Sequence, residues 1–377
     1  MTALPAPEWI ATPAALAKLT TELARYPRIA VDTESNSLHA YREQLCLIQF
    51  STPEKDYLVD PLVFDVLSPL SVIFNNPEHE KVFHAAEYDL ICLKRDFGLN
   101  VTHLFDTMQA ARILGYKRVG LDSMLAEKLG IKLDKKYQKA DWAERPLSKD
   151  MLSYARLDTH HLLDLRVCLE NELKLRGRWE LAQEEFTRLA HGNGSGRVEI
   201  PAWQRVKGIQ KLTDRQLTIL QELCAWRESK AQQMNRPVFR VIDDKRLVEL
   251  ALAAPETQDE MDALDLTAKQ IYVYGNDILQ AISRGKRAIL VKRPQYVRPK
   301  QAYIDRYTIL SEWRKSTCQK MGVESDVILP KGWMHAIADT NPKTIEELAE
   351  LMPNSPWRLK EFGGEILQIV RTKKFPA

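Results

Sequence analysis

The second half of the chain repeats itself, and that repeat limits its architecture more than any other feature. Trp226-Arg227-x-Ser229-x-x-Gln232-x-Met234, followed by Pro255 and Thr257, recurs 87 residues later as Trp313-Arg314-x-Ser316-x-x-Gln319-x-Met321, Pro342 and Thr344. The two copies align without a gap over that span. Gly275-x-x-Ile278-Leu279-Gln280 then returns as Gly363-x-x-Ile366-Leu367-Gln368, 88 residues on. A register sustained this far predicts two small all-helical domains of about 75 residues, each with its own core. Two copies at so long a period do not make a solenoid. Between them Arg284, Lys286, Arg287, Lys292, Arg293, Arg298 and Lys300 form a basic run with no acid among them.

That run matters because the net charge of +3 conceals an asymmetry. Dividing the chain before Val206 leaves 26 basic and 29 acidic residues on the N-terminal side, and 28 and 22 on the other, or −3 and +6. A polyanion such as nucleic acid would be drawn to the second half, although a basic run alone also fits a solvated linker. The five cysteines are far apart and contain no C-x-x-C pair, so neither a disulfide framework nor a zinc ribbon is expected, and a reducing cytosol fits. No leader pattern opens the chain and no run approaches ~20 apolar residues, so neither export nor membrane insertion is expected.

The first half has a different pattern. After an amphipathic helix around Pro13 to Tyr26, the runs "RIAVDTES", "LCLIQFST" and "YLVD" alternate and end in turn residues, which predicts a β-meander. "KVFHAAEYDLICLKRDFG" reads as a short strand and then a helix stopped by Gly98. From there to about Leu175 the pattern is mostly helical, with Asp106 as N-cap for "TMQAARILG". Strands first and helices afterwards predict a mixed α/β domain of about 200 residues, closed by the Gly/Ser-rich connection "HGNGSGR".

Four acids stand out in this domain. Asp32 and Glu34, two apart on a strand, project from one face and repel each other unless something such as a divalent metal neutralises them. Asp89 lies in the first turns of the helix after the next strand, and Tyr154 and Asp158, four apart in "MLSYARLDTHHLLDL", share one helix face. Leu152, Ala155, Leu162, Leu163 and Leu165 would bury that helix against the sheet and turn Asp158 toward the strand pair. Each element taken alone also reads as an ordinary solvated acid. His84, five residues before Asp89, reads as closing its strand, and His160 and His161 lack ligand spacing with Asp158.

The ordered set, D-x-E on a strand, an Asp on a helix 55 residues on and Y-x-x-x-D on a helix 69 further, resembles the DEDD exonuclease superfamily in its tyrosine-bearing branch. In the sister branch a histidine stands where this chain has Ser153. "REQLCLIQ", "FDTMQAARILG" and "LDKKYQKADWAERPLS" are similar to the ribonuclease D family, and the Trp226 and Trp313 repeats resemble HRDC domains, helical nucleic-acid-binding modules. The resemblance implies an α/β ribonuclease H-like domain, a mixed sheet flanked by helices, followed by two all-α HRDC domains. The expected division is 1–190 exonuclease, 191–210 linker, 211–291 first HRDC, 292–302 basic linker and 303–377 second HRDC.

It further implies 3′→5′ hydrolysis of RNA to 5′-mononucleotides by two Mg2+ or Mn2+ ions held by Asp32, Glu34, Asp89 and Asp158, with Tyr154 orienting the attacking water. Substrates would be tRNA precursors and small structured RNAs, met by a cytoplasmic monomer whose HRDC domains contact nucleic acid. Gln138, Trp142 and Arg145 would touch the substrate strand, Arg145 at phosphate and Trp142 by stacking. Relatives often carry an aromatic residue after the glutamate; Ser35 stands there here, so base stacking would come from elsewhere or be missing. A DNA exonuclease, and a binding protein on an inactive nuclease fold, are the competing readings, since the same acids serve both sugars.

Overall fold

A computed structural model describes residues 4–192, 200–293 and 298–372. Most of the Gly/Ser-rich connection and positions 294–297 of the basic linker therefore lie outside the described residues. The chain groups into two compact units, one of Met1–Ser35, Leu45–Gly194 and Arg298–Ala377, the other of Asn36–Gln44 and Ser195–Val297.

The first unit is built on one six-stranded sheet. Its strands are β1 (Glu8–Ile10), β2 (Arg28–Ser35), β3 (Leu45–Ser51), β4 (Asp56–Val59), β5 (Glu80–Phe83) and β6 (Leu104–Asp106), in the order β1-β4-β3-β2-β5-β6. β3 is antiparallel to both its neighbours, and the remaining pairings are parallel. The expected meander is β2–β3–β4. The strands β1 and β6 are three residues each, too short to show a period in the sequence. β6 and the irregular stretch 130–148 correct the mostly helical reading of the segment from Gly98 to Leu175.

Both faces of the sheet are covered, which is why β3 is buried at every residue. Ile29 and Val31 of β2 pack with Leu16, Leu19 and Leu23 of the Pro13–Leu23 helix and Cys92 and Leu93 of the Glu87–Phe97 helix. Ala30 packs on the other face with Leu162, Leu165 and Leu169 of the Leu162–Leu175 helix. On that second face Leu47 and Leu58 meet Met151 and Ala155 of the Lys149–His160 helix. Strand parity therefore sends Asp32 and Glu34 to the face of Ala30. The single helix expected over "MLSYARLDTHHLLDL" breaks at His161, whose φ of −104° and ψ of 3° separate two helices.

The repeat is structural. Arg227 donates to the Ile242 carbonyl at 2.9 Å, and Arg314 donates to the Leu329 carbonyl, 87 positions on, at 2.8 Å. Trp226 meets Tyr274 edge-on at 5.8 Å, and Trp313 meets Phe362 edge-on at 5.6 Å. Each copy has its own core. Helix starts in the first copy are fixed by capping boxes, Thr213 with Gln216 and Thr267 with Gln270.

The second copy shares a core with the nuclease fold instead of hanging from a linker: Val327 is buried with Phe186 and Leu181 of the Trp179–His191 helix. Arg358, fully buried, donates to Glu184 at 2.6 Å and Glu185 at 2.9 Å on that helix. Gly115 follows the Thr107–Leu114 helix with φ of +86°, and a Cβ there would lie 2.2 Å from the Gly322 carbonyl oxygen. Only glycine satisfies both the conformation and the approach.

Candidate active site

β5 pairs with β2 only at Arg28, Ile29 and Ala30, whereas β3 runs beside it as far as Ser35. Past Ala30 one edge of β2 is released from the sheet, and this half of the strand carries Asp32 and Glu34. A register shift falls between Glu34 and Ser35, just before the last pair, Ser35 with Leu45.

Asp89 is delivered to the same place by the turn after β5. Ala85 takes a left-handed φ of 66°, costly for a residue with a Cβ. The buried Asp106 carboxylate offsets this by accepting from the N–H groups of Ala85 (3.1 Å), Ala86 (2.8 Å), Met108 (2.8 Å) and Gln109 (3.0 Å). Asp106 is thus the expected N-cap of the Thr107–Leu114 helix and also the clasp that sets where the Glu87–Phe97 helix begins. In that helix's first turn Asp89 is buried and accepts from the Thr33 hydroxyl.

The Lys149–His160 helix, capped by Ser148 on the Met151 N–H, supplies Tyr154 and Asp158 from one face. An oxygen from each of the Asp32, Glu34 and Asp158 carboxylates lies within 4.8 Å of the other two. Asp89 stands beside this trio, tied to Thr33 on the alternate position of β2. It is near enough that its charge raises the pKa of both Asp32 and Glu34.

The electrostatics are those of buried acids that repel one another and that a cation would neutralise. Burial, then repulsion from Asp89, Asp158 and Glu34, holds the Asp32 carboxyl well above the usual carboxylate range. Burial, then Asp158 and Asp89, does the same to Glu34. Burial pushes Asp89 and Asp158 each up to about 7. An all-oxygen set of this kind suits hard divalent ions better than zinc.

The Tyr154 ring is held between Tyr137, edge-on at 5.8 Å, and Trp142 at 6.1 Å, which fixes the direction of its hydroxyl. Burial and the charges of Asp158, Glu34 and Asp32 raise its pKa, so the phenol stays protonated. Beside it opens a cavity of about 260 Å3 lined by Lys136, Tyr137, Ser153, Tyr154, Leu157 and Asp158 among others.

Two expected substrate contacts are corrected. Trp142 is 1% exposed and packs in the core under Tyr154, so it supports the ring and cannot stack on a base. Arg145 grips Asp60 through Nε (2.8 Å) and Nη2 (2.6 Å) and also donates to the carbonyls of Trp142 and Cys46. Its guanidinium ties the irregular 130–148 stretch to β3 and β4 and leaves little to offer a phosphate. Gln138 is exposed on the turn, and its neighbours Lys136 and Tyr137, which the sequence reading passed over, line the cavity.

His84 and His160 have partners outside the four-acid group. His84 sits 2.9 Å from the Thr107 hydroxyl, and burial holds its imidazole down at about 4. His160 meets both oxygens of Asp56 at 2.9 Å. At Ser35, where stacking was in question, the hydroxyl lies 3.3 Å from that of Tyr88, a ring 44% exposed next to Asp89. An aromatic surface is thus present at this edge from another element. Its signal, the Tyr before Asp89, has no periodicity to announce it.

Residues 7–174 match the 3′-5′ exonuclease family, and residues 216–282 and 304–370 each match the HRDC domain. A ribonuclease D from Nitrobacter hamburgensis is 31% identical over 367 residues, covering 96% of this chain and 94% of that one. The exosome complex exonuclease RRP6 of Saccharomyces cerevisiae is 45% identical over 168 residues, 44% of this chain and 23% of that protein. The crystal structure of Escherichia coli RNase D, described as an exoribonuclease involved in structured RNA processing, superposes with a TM-score of 0.72 at 26% identity, over 98% of this chain and 100% of that one. Full-length kinship, the exonuclease and twin HRDC matches, and a carboxylate cluster at the free end of β2 together mean that this chain belongs to the ribonuclease D family of 3′→5′ exonucleases.

Proposed function

We propose that the protein is a 3′→5′ exoribonuclease that trims tRNA 3′ ends and small structured RNAs to 5′-mononucleotides. The observation that carries this is the convergence of Asp32, Glu34 and Asp158 within 4.8 Å, with Asp89 and Tyr154 alongside. Asp32, Glu34, Asp89 and Asp158 would hold two Mg2+ or Mn2+ ions. Bound there, the ions would polarise the attacking water and stabilise the leaving 3′-oxygen. Tyr154, braced by Tyr137 and Trp142, would orient that water by hydrogen bonding. Gln138, with Lys136 and Tyr137 at the adjoining cavity, would contact the substrate strand.

We take the domain division as 1–190, 191–210, 211–291, 292–302 and 303–377, and the HRDC matches fall within the last two helical ranges. Both modules would engage RNA. Arg284 is paired with Glu222 and Lys286 with Glu256, so the exposed Arg287, Lys292, Arg293, Arg298 and Lys300 carry the available charge of the basic run. A monomer suits a site assembled from one chain. Five free cysteines suit the cytoplasm, and among the described residues no helix is long and apolar enough to cross a membrane.

The test is matched 3′-tailed RNA and DNA incubated with Mg2+ or Mn2+, alongside an Asp32→Ala variant. Stepwise shortening of RNA from the 3′ end, lost in the variant, is expected. Activity surviving the substitution, or equal turnover of DNA, would refute the reading.

A further inference from the structure

Gln49 lies on β3 directly opposite Asp32, so both side chains leave the same face of the sheet, beneath the Lys149–His160 helix. Leu58 of β4 flanks it on the other side. Gln49 is fully buried, and neither Oε1 nor Nε2 meets a hydrogen-bond partner among the described residues. Ser51, two residues along the same face, is satisfied: its hydroxyl reaches Asp56 and Thr159, each at 2.7 Å.

A buried primary amide with both ends unpaired is destabilising, and packing alone would be served by an apolar side chain such as that of Leu47 on the same face. Strand pairing sets the carboxylates of β2 beside Gln49 and, diagonally on β4, Asp56, whose oxygens are already taken by Ser51 and His160. A neutral amide is also the donor such a place tolerates. A lysine or arginine would neutralise Asp32 and compete with a cation, and another carboxylate would deepen the repulsion.

We propose that Gln49 is a positioning residue of the metal site. Its Nε2–H donates to the Asp32 carboxylate once a divalent cation has drawn that group into its coordination shell, and so fixes which Asp32 oxygen faces the ion. This rests on the four-acid reading above. Partners of this kind typically change metal affinity by about 10- to 100-fold.

The experiment measures Mn2+ binding by calorimetry without substrate, and thermal unfolding without metal, for the wild type, Gln49→Met and Asp32→Ala. Gln49→Met should bind Mn2+ at least about tenfold more weakly, while its metal-free melting temperature holds or rises, because an unpaired amide gives way to an apolar chain of similar volume. Unchanged affinity would overturn the inference and leave the metal site standing. Wild-type binding indifferent to Asp32→Ala would overturn the metal-site reading and the inference with it. In the wild type, the Gln49 side-chain amide resonances should shift on Mg2+ addition with the calorimetric midpoint. Resonances that do not move would overturn the inference without reliance on any variant's folding.

Discussion

Replacing Arg358 with methionine should cost the first unit about 3–4 kcal/mol, the usual loss when one partner of a buried ion pair is removed. The figure follows from what is left behind. Arg358 is fully buried, and its guanidinium serves Glu184, Glu185 and the carbonyls of Val327 and Ile328. Methionine retains the stem's packing but none of these bonds. Glu185 keeps Arg188, which donates from Nη2 at 2.5 Å. Glu184, only 5% exposed, is left with backbone N–H groups alone, that of Arg358 at 3.0 Å and that of Trp357. The penalty therefore falls mainly on Glu184, which places it in the lower part of the range for broken buried pairs.

Urea unfolding followed by tryptophan fluorescence reads the loss, since the Trp333 ring lies 5.7 Å from the Arg358 guanidinium. Adding Glu184→Gln to Arg358→Met should recover part of it, because the stranded charge is then gone. A loss under about 1 kcal/mol would place the pair among exposed ones, and further destabilisation by the second change would refute the stranded-charge reasoning. The same pair makes a truncation after Gly194 a poor test of RNA capture, since it would strip Arg358 from Glu184 and expose the shared core around Phe186 and Val327.

Three further outcomes are expected. Tyr154→Phe should lower kcat on the order of 100-fold or more while Mn2+ affinity holds, and parallel loss of metal binding would contradict an orienting role. Tyr88→Ala should raise KM for a short RNA by roughly 5- to 150-fold, equivalent to about 1–3 kcal/mol of base stacking, and an unchanged KM would remove Tyr88 from the substrate path. His84 is held near 4 in the fold against ~6.5 when unfolded, so the unfolded chain binds a proton that the native state refuses. The stability this confers is complete above about pH 6.5 and is lost as pH falls toward 4; with partial exposure it amounts to about 1–3 kcal/mol. His84→Gln should flatten that acid limb relative to wild type, and superimposable limbs would count against the assignment.

Much of this was legible because the relevant signals are local. Short apolar runs ended by turn residues marked β2, β3 and β4, strand parity put Asp32 and Glu34 on one face, and i, i+4 spacing put Tyr154 and Asp158 on another. What escaped the sequence depends on distant partners. Trp142 and Arg145 lie in a polar stretch that resembles a surface loop, yet Asp60 of the β4 end and the core under Tyr154 take them up. Gln49 reads as one more residue of a buried strand until its register against Asp32 is known. The docking of the second helical module depends on Arg358 meeting glutamates 174 and 173 positions away, which no periodicity encodes.

The central claim is that the carboxylates at the free end of β2 hold the catalytic ions. Crystals soaked in Mn2+ and measured at the manganese absorption edge test it directly. Two anomalous peaks about 4 Å apart, ligated by Asp32, Glu34, Asp89 and Asp158, are expected. Peaks elsewhere, or none at this cluster in a crystal whose protein degrades RNA in the same Mn2+ buffer, would contradict it.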